Sequence, residues 1–510
     1  MLPPLIEAML EPGFYPHPVE RLELVQTHIS WVLLTGVYAY KVKKPVDFGF
    51  LDFTTLEKRR FFCEEEVRLN RRLSPEVYLG VVEITWDGHT YRLGGEGEVV
   101  EYAVCMRELD KEWRLDLLLE KGQVDMSVLE KIGEKVALFH EEAITGERIS
   151  CFGRPDKVRV NVEENFEQTK PFVGLLIDEK AYKALKDYSF SFLQDRSDVF
   201  FRRIDQGRIK EGHGDLHTAN VYYDGQKVYV LDCIEFNERF RFQDTASDVA
   251  FLTMDLEFRG HKEEAWAFLN AYLSLSGDYG LFDVLRFYKV YRAYVRGKVE
   301  GFRIQEDPGA KERAKSYFDL ALSYLGERPK RFIICTCGLM GTGKSTVGKA
   351  LGAWVGAVVL RSDTFRKLLF GIPPWEHRYE PWGKGIYGEE ATERVYGEMM
   401  RVSKEVLDAG YPVVIDATFA KKRHREKALK LAEALKVPCV FLYLRCPLEV
   451  LRKRLEGRGD ISDGRPEILE DQLREFEEPK ELSEERLIAL ESSLPLDIGT
   501  LWRRVEERLI

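Results

Sequence analysis

The stretch Gly338-Leu339-Met340-Gly341-Thr342-Gly343-Lys344-Ser345-Thr346 constrains this chain more than any other. It fits the pattern G-x-x-x-x-G-K-[ST] at every position. Phe332 to Thr336, just before it, is an apolar run that reads as a buried strand, and Val347 to Trp354 reads as a helix. A strand, a glycine-rich turn and a helix N-terminus in that order turn backbone N–H groups inward as an anion nest, and the helix dipole adds favourable potential. Lys344 is expected to reach the β- and γ-phosphates of ATP and Ser345 to hold Mg²⁺. Gly338, Met340, Gly341, Thr342, Gly343 and Thr346 complete the cradle.

Four more strand-like runs follow: Ala357 to Leu360, Pro412 to Thr418, Val440 to Arg445 and Leu487 to Leu490. They alternate with helical patterns, which predicts a parallel sheet with helices on both faces. Ligands of such sheets sit beyond the strand C-terminal ends, where Lys344, Asp363 and Asp416 all fall. Asp363 is placed to act as general base toward an acceptor hydroxyl, with Arg366 one turn on to hold an acceptor anion and Asp416 on the acceptor side. Ser362 or Asp363 can equally cap the helix that follows. Arg454 and Arg458, on a helix running into Gly457-Arg458-Gly459-Asp460, read as lid arginines that neutralise charge on a transferring phosphoryl group, or as a solvated basic helix end. Gly371 to Tyr396 interleaves Trp375, His377, Arg378, Tyr379, Trp382, Lys384 and Tyr387, a composition suited to an acceptor pocket that stacks a base or a sugar, or to a loop covering the sheet.

More than 300 residues precede this region. A chain of 510 residues calls for two or three domains, and 45% hydrophobic with 32% charged residues describes a soluble globular protein. The net charge of −10 argues against broad nonspecific nucleic-acid binding, without excluding a local basic groove. No signal-peptide pattern opens the sequence and no run of about 18 apolar residues occurs. The eight scattered cysteines read as reduced thiols, so a cytoplasmic location is expected. Gly326-Glu327-Arg328-Pro329-Lys330 breaks a helical pattern and sets the expected division, 1–328 and 329–510.

In the first part, Thr27 to Leu34 and Val37 to Val42 form a predicted hairpin around Thr35-Gly36. Its second strand carries Ala39-Tyr40-Lys41, the way kinase-like folds present an ATP-binding lysine. Leu56 to Leu73 reads as a helix whose stripe carries Glu66, a partner for Lys41, with Glu65 as the alternate. Strands at Val81 to Trp86 and Val99 to Met106 complete a small lobe of about residues 20–108. Met106 to Leu109 forms the hinge to a large lobe of about 109–325. Ser127-Val128-Leu129-Glu130 has the capping-box pattern and opens a helix ending at His140. His213-Gly214-Asp215-Leu216-His217-Thr218-Ala219-Asn220 is followed by the strand Val228 to Leu231 and by Asp232. The spacing suits Asp215 to orient an acceptor hydroxyl, and Asn220 and Asp232 to hold Mg²⁺. His213, His217 and Asp248 read as braces.

On these residues, 25 to 325 resemble the aminoglycoside phosphotransferase and protein-kinase-like fold. Residues 330 to 510 are similar to the small P-loop kinases that include gluconate kinases, zeta toxins and polynucleotide 5′-kinases. The two in this order resemble the bacterial bifunctional aminoglycoside phosphotransferase/ATP-binding proteins, to whose segments Tyr40 to Phe48 and Ile234-Glu235-Phe236-Asn237 are similar. The resemblance implies two ATP- and Mg²⁺-dependent modules that transfer a γ-phosphate to a hydroxyl of a small molecule or nucleic acid. A polynucleotide 5′-hydroxyl kinase, or a regulatory nucleotide-binding protein with one silent lobe, are the alternatives. Two features depart from the pattern. No G-x-G-x-x-G flap precedes Lys41, and Asp232 is followed by Cys233-Ile234-Glu235, where Glu235 is either a metal ligand or a structural anchor.

Overall fold

The computed structural model describes residues 2–326, 328–381, 383–456, 463–494 and 496–509. They group into two compact units. The first comprises residues 1–124, 142–164 and 193–252; the second comprises 125–141, 165–192 and 253–510. In this grouping the helices Lys262–Ser276, Leu285–Phe302 and Ala310–Ser323 fall with the phosphate-loop region.

The first unit is built on six strands: β1 (Glu23–Gln26), β2 (Ser30–Leu34), β3 (Tyr38–Lys43), β4 (Tyr78–Trp86), β5 (Tyr91–Leu93) and β6 (Glu98–Arg107). Their order is β1-β2-β3-β6-β4-β5, and every neighbouring pair is antiparallel. Side chains alternate across a strand. On one face Leu33, Tyr40 and Val42 pack with Ile6, Met9 and Phe14 of the N-terminal segment. On the other, Ala39, Tyr102, Val104 and Met106 receive Cys63 and Val67 of the helix Leu56–Asn70. Lys41 and Lys43 share the parity of Ala39, so both face that helix. Thr55 caps the helix by accepting from the Lys58 amide at 3.3 Å. Further along the chain, β7 (Ile209–Glu211) pairs with β10 (Phe242–Asp244), and β8 (Val221–Tyr223) with β9 (Val228–Val230). The small antiparallel sheet with one packed helix, followed by a loop-and-hairpin region, is a protein-kinase-like arrangement.

The second unit contains the helices Met126–Glu142, Lys262–Ser276, Leu285–Phe302 and Ala310–Ser323. The first of these is capped by Asp125, whose Oδ1 accepts from the amides of Ser127 and Val128 at 2.8 and 3.2 Å. The expected Ser127 capping box is therefore displaced by two residues: an aspartate already holds the free amides, and Ser127 itself donates to it at 2.6 Å. His140, inside the same helix, bonds the Tyr272 hydroxyl at 3.0 Å and is a buried structural residue.

Five strands then form a P-loop NTPase sheet: β11 (Ile333–Cys337), β12 (Val358–Arg361), β13 (Val413–Asp416), β14 (Cys439–Arg445) and β15 (Leu487–Glu491). All pairs are parallel, in the order β12-β13-β11-β14-β15. Ile334, Val414, Val440 and Leu442 pack with Leu351 of the helix Lys344–Val355 and with Leu501 and Val505 of the helix Ile498–Glu506. The helices Glu389–Asp408 and Lys422–Leu435 contact β13 and β14 respectively. Purely parallel sheets are covered on both faces, which matches the nearly continuous apolar character of these strands.

Candidate functional site

In the first unit the lysines of β3 enter a cluster of charge. Lys41 Nζ lies 2.8 Å from both Glu66 Oε1 and Asp232 Oδ1. Lys43, fully buried, lies 2.7 Å from Glu66 Oε2 and also pairs with Glu235. Burial alone would raise the Glu66 carboxyl, but the Lys41 and Lys43 charges outweigh it and hold it near pKa about 2. Glu235 is pushed upward by burial, partly opposed by Lys43. The alternate partner Glu65 instead pairs with Arg68 at 2.9 Å. Glu235 is thus engaged by a buried lysine, the geometry of an anchor.

Asp232 adopts φ = 61°, a left-handed conformation uncommon outside glycine. Two side chains hold it there. Its amide donates to the Tyr78 hydroxyl at 3.2 Å, and the next amide, of Cys233, donates to Asn70 Oδ1 at 2.9 Å. The Asp232 carboxylate is half exposed. On the facing loop, Asn220 Nδ2 donates to Asp215 O at 3.0 Å and to Asp215 Oδ2 at 3.3 Å. His217 Nε2 is 3.3 Å from the same Asp215 oxygen. The Asp248 carboxylate accepts from the amides of His213 and Gly214 at 2.7 and 2.9 Å, and from Gln243 at 2.6 Å. His213 is buried, contacts Leu231 O at 2.9 Å, and is held neutral by burial, which lowers its pKa. These groups fix the loop on which Asp215 sits.

The second unit holds a cleft of about 1400 Å³ at the C-terminal edge of the parallel sheet. Gly341 to Thr346 line one wall, Asp363, Arg366, Tyr387 and Asp416 another. The glycines are required by geometry. Gly338 has φ = 140° and a Cβ there would fall 2.4 Å from Leu444 O, while Gly343, at φ = 83°, is the N-cap of the helix Lys344–Val355. Lys344 Nζ and Thr342 Oγ1 each donate to Leu339 O at 2.7 Å. Thr336 Oγ1 donates to Asp416 Oδ1 at 3.2 Å, and Arg361 Nε lies 3.5 Å from Asp416 Oδ2.

Asp363 stands in the first turn of the helix Ser362–Leu369. The N-cap is Arg361 and makes no side-chain capping bond, so neither Ser362 nor Asp363 performs the capping alternative. Arg366 donates to Ile386 O and, at 3.3 Å, to Thr392 Oγ1, and its guanidinium lies 4.8 Å from the Tyr387 ring centre. Its Nε, buried, has no hydrogen-bond partner among the described residues. Burial first, then the Asp363 charge, push the Tyr387 phenol upward. Its hydroxyl donates to Asp463 Oδ2 at 2.5 Å, and Asp463 also accepts from the Arg378 amide at 3.2 Å and lies 3.0 Å from His377 Nδ1. Part of the segment 371–396 therefore borders the cleft, and part is clamped by Asp463. Arg454 is tied to backbone carbonyls, Gly341 O at 3.4 Å and Ser492 O at 2.7 Å. Arg458 and Trp382 lie outside the described residues.

Six residues of the site escape sequence reasoning. Gln472 Oε1 accepts from the Met340 amide of the phosphate loop at 2.7 Å. Asp463 clamps the aromatic segment. Ser492, Leu494, Leu496 and Ile498 line the cleft beside Arg454. Each comes from far along the chain, and local sequence pattern carries no signal of such a contact, whether the residue sits on a helix, as Gln472 does, or in a loop.

Comparison with known proteins places the chain among relatives. Residues 333–479 match the family model described as AAA domain. Over 186 residues the chain is 27% identical to an adenylyl-sulfate kinase of Myxococcus xanthus, covering 35% of this chain and 91% of that protein. Among solved structures, a choline kinase from Cryptosporidium parvum aligns with a TM-score of 0.39 and 10% identity, over 63% of this chain and 94% of that one. A match along most of the sequence is to the uncharacterized protein Rv2004c of Mycobacterium tuberculosis, 31% identical over 457 residues, 89% of this chain and 90% of that protein. The chain belongs to the family of that mycobacterial protein.

Proposed function

We propose that the protein is an ATP- and Mg²⁺-dependent phosphotransferase with two kinase modules, of the kind named bifunctional aminoglycoside phosphotransferase/ATP-binding proteins, acting in the cytoplasm. The observation that carries this reading is the cleft of the second unit. It gathers the phosphate-loop residues Lys344 and Ser345 with the carboxylate of Asp363 and with Arg366, a buried guanidinium that has no carboxylate partner among the described residues. In that cleft the loop amides and Lys344 bind the phosphates, Asp363 orients an acceptor hydroxyl and takes its proton, and Arg366 holds an anionic group of the acceptor. Asp416 borders the acceptor side, and Arg454 and Arg458 neutralise phosphoryl charge. In the first unit Lys41, steadied by Glu66, binds phosphate, and Asp215 plays the part of Asp363.

Ser345 in the second unit, and Asn220 with Asp232 in the first, would hold Mg²⁺. Their oxygens suit a hard cation that keeps most of its water and takes only one or two protein ligands, and no group of three or more His, Cys, Asp or Glu suited to a metal occurs among the described residues. When bound, the ion supplies charge neutralisation on the phosphates.

The test is ATP consumption by the full chain over a panel of hydroxyl acceptors, with Lys344→Ala and Asp215→Ala made singly. Each is expected to remove one activity and spare the other. If neither lowers turnover with any acceptor, the two-module reading fails. A second reading, a polynucleotide 5′-hydroxyl kinase, is favoured by the exposed rings of Trp375 and Tyr379. His377 stacks on Tyr379 at 5.4 Å and Arg465 lies 5.5 Å from that ring. Absence of label transfer from ATP to 5′-hydroxyl oligonucleotides by the intact protein excludes it.

A further inference from the structure

The helix that carries Asp363 and Arg366, and the strand β12 that leads into it, are fastened to elements that precede the phosphate loop by some 60 to 80 residues. β12 is one of the two edge strands of the parallel sheet, so its outer backbone groups need partners. Asn270, on the helix Lys262–Ser276, supplies them. Its Nδ2 donates to Ala357 O at 3.0 Å and its Oδ1 accepts from the Val359 amide at 2.9 Å. One buried amide side chain thus makes the two bonds that a neighbouring strand would make.

The helix Ser362–Leu369 is held in the same way. The Phe365 ring stacks on Tyr279 with centroids 5.2 Å apart and planes 20° apart, and both rings are buried. A Cβ on Gly277 would lie 2.9 Å from Leu368 Cδ1, so the turn after the helix Lys262–Ser276 meets the far end of the helix Ser362–Leu369. The phosphate-loop helix leans on the same surface. A Cβ on Gly356, which has φ = 70° and ends that helix, would lie 2.9 Å from Trp266 Nε1. Tyr411 packs on Trp266 and Phe282 at 6.0 and 4.7 Å. The two walls of the cleft therefore rest on Trp266 and Asn270 of one helix and on Gly277 and Tyr279 just beyond its end.

Phe365 is two residues from Asp363 and one from Arg366, so the tilt of its ring sets the direction in which the first turn of that helix presents both side chains. We propose that Asn270 and Tyr279 are positioning residues of the phosphate-loop kinase, fixing β12 and the helix Ser362–Leu369 so that Asp363 and Arg366 face the cleft. This rests on the proposed roles of Asp363 and Arg366 in phosphoryl transfer. A stretch that chain order assigns to the kinase-like half then works as part of the second catalytic centre. The hydroxyl of Tyr279, buried and without a hydrogen-bond partner among the described residues, contributes nothing to the fastening; the ring does.

The experiment uses the full chain with Tyr279→Phe, Tyr279→Ala and, as a packing control away from the helix Ser362–Leu369, Phe282→Leu. Hydrogen exchange of residues 358–369 and hydrolysis of Mg-ATP are measured on each. Tyr279→Ala is expected to speed exchange in 358–369 at least tenfold, with the amides of β11 and β13 unchanged. It should lower kcat for ATP hydrolysis at least fivefold with KM for ATP within twofold. Tyr279→Phe should restore both, and Phe282→Leu should leave kcat near that of the unaltered protein. Unchanged exchange in 358–369 for Tyr279→Ala, or an equal fall in kcat for Phe282→Leu, overturns the proposal. An Asp363→Asn chain with undiminished turnover would sink the general-base role instead, and the exchange measurement still judges the fastening.

Discussion

Replacing Lys43 by methionine tests the charge cluster of the first unit. Methionine keeps the length and most of the volume of the lysine stem, so the change is chiefly the loss of one charge. Lys43 is fully buried, and its two partners, Glu66 and Glu235, are nearly so. With it gone, Lys41 alone faces Glu66, Glu235 and Asp232. Breaking a buried ion pair from one side costs about 3–5 kcal/mol, because the remaining charge stays out of water. At about 1.4 kcal/mol per power of ten, exchange of the β3 and β6 amides should accelerate by roughly two to three and a half powers of ten. Native-state hydrogen exchange is the suitable assay, since it reads the opening of this sheet without the second unit. The loss should also depend on pH. Burial already raises the Glu235 carboxyl, and without Lys43 it rises further. A carboxyl whose folded value exceeds its unfolded value favours the folded state only while protonated, so Lys43→Met should recover stability as pH falls and lose it as pH rises. Adding Glu235→Gln removes the stranded charge and should restore most of the protection at neutral pH. Exchange within threefold of the unaltered protein, or a double variant no better than the single one, would refute the reasoning.

Two further outcomes follow from the same unit. Glu66, held near pKa about 2 against an ordinary 4.5, contributes stability that is fully present above about pH 4.5 and lost as pH falls through about 2; exchange of the helix Leu56–Asn70 from pH 6 downward should show the loss, and Glu66→Gln should flatten it. Asp248→Ala leaves the buried amides of His213 and Gly214 without their acceptor, at about 1–3 kcal/mol each. It should lower any Asp215-dependent turnover more than Lys344-dependent turnover, measured on one preparation.

What the sequence made legible was local. The phosphate loop announces itself by spacing, and the strands around it begin and end within a few residues of the apolar runs. Glu66 could be placed opposite Lys41 because a helical stripe and a strand parity both follow from short-range periodicity. The rest depends on distant partners. Lys43 looks like one more charge in Lys41-Val42-Lys43-Lys44, and it is its pairing with Glu66 and with Glu235, some 190 residues away, that makes it a buried ion. Asn270 is an ordinary polar residue until an edge strand is laid beside it. Gln472 and Asp463 are equally mute. The grouping of the helices beyond residue 253 with the phosphate-loop region has no local signal for a related reason: a break in chain pattern does not say which surfaces pack together. Asp125 and Ser127 both suit a helix start, and composition alone does not choose between them.

The unusual backbone of Asp232 has a consequence for how the first site is tuned. A residue held at φ = 61° against its preference stores about 1–3 kcal/mol, released whenever its tethers slip. One of those tethers, Asn70, and the carboxylate that receives both β3 lysines, Glu66, stand one turn apart on the same helix. Sliding that helix would loosen the Cys233 amide and the lysines together, and Asp232 would relax to a negative φ with its carboxylate turned elsewhere. Asn70 and Glu66 thus tie the placement of one helix both to the backbone of Asp232, through the Cys233 amide, and to the two lysines of β3.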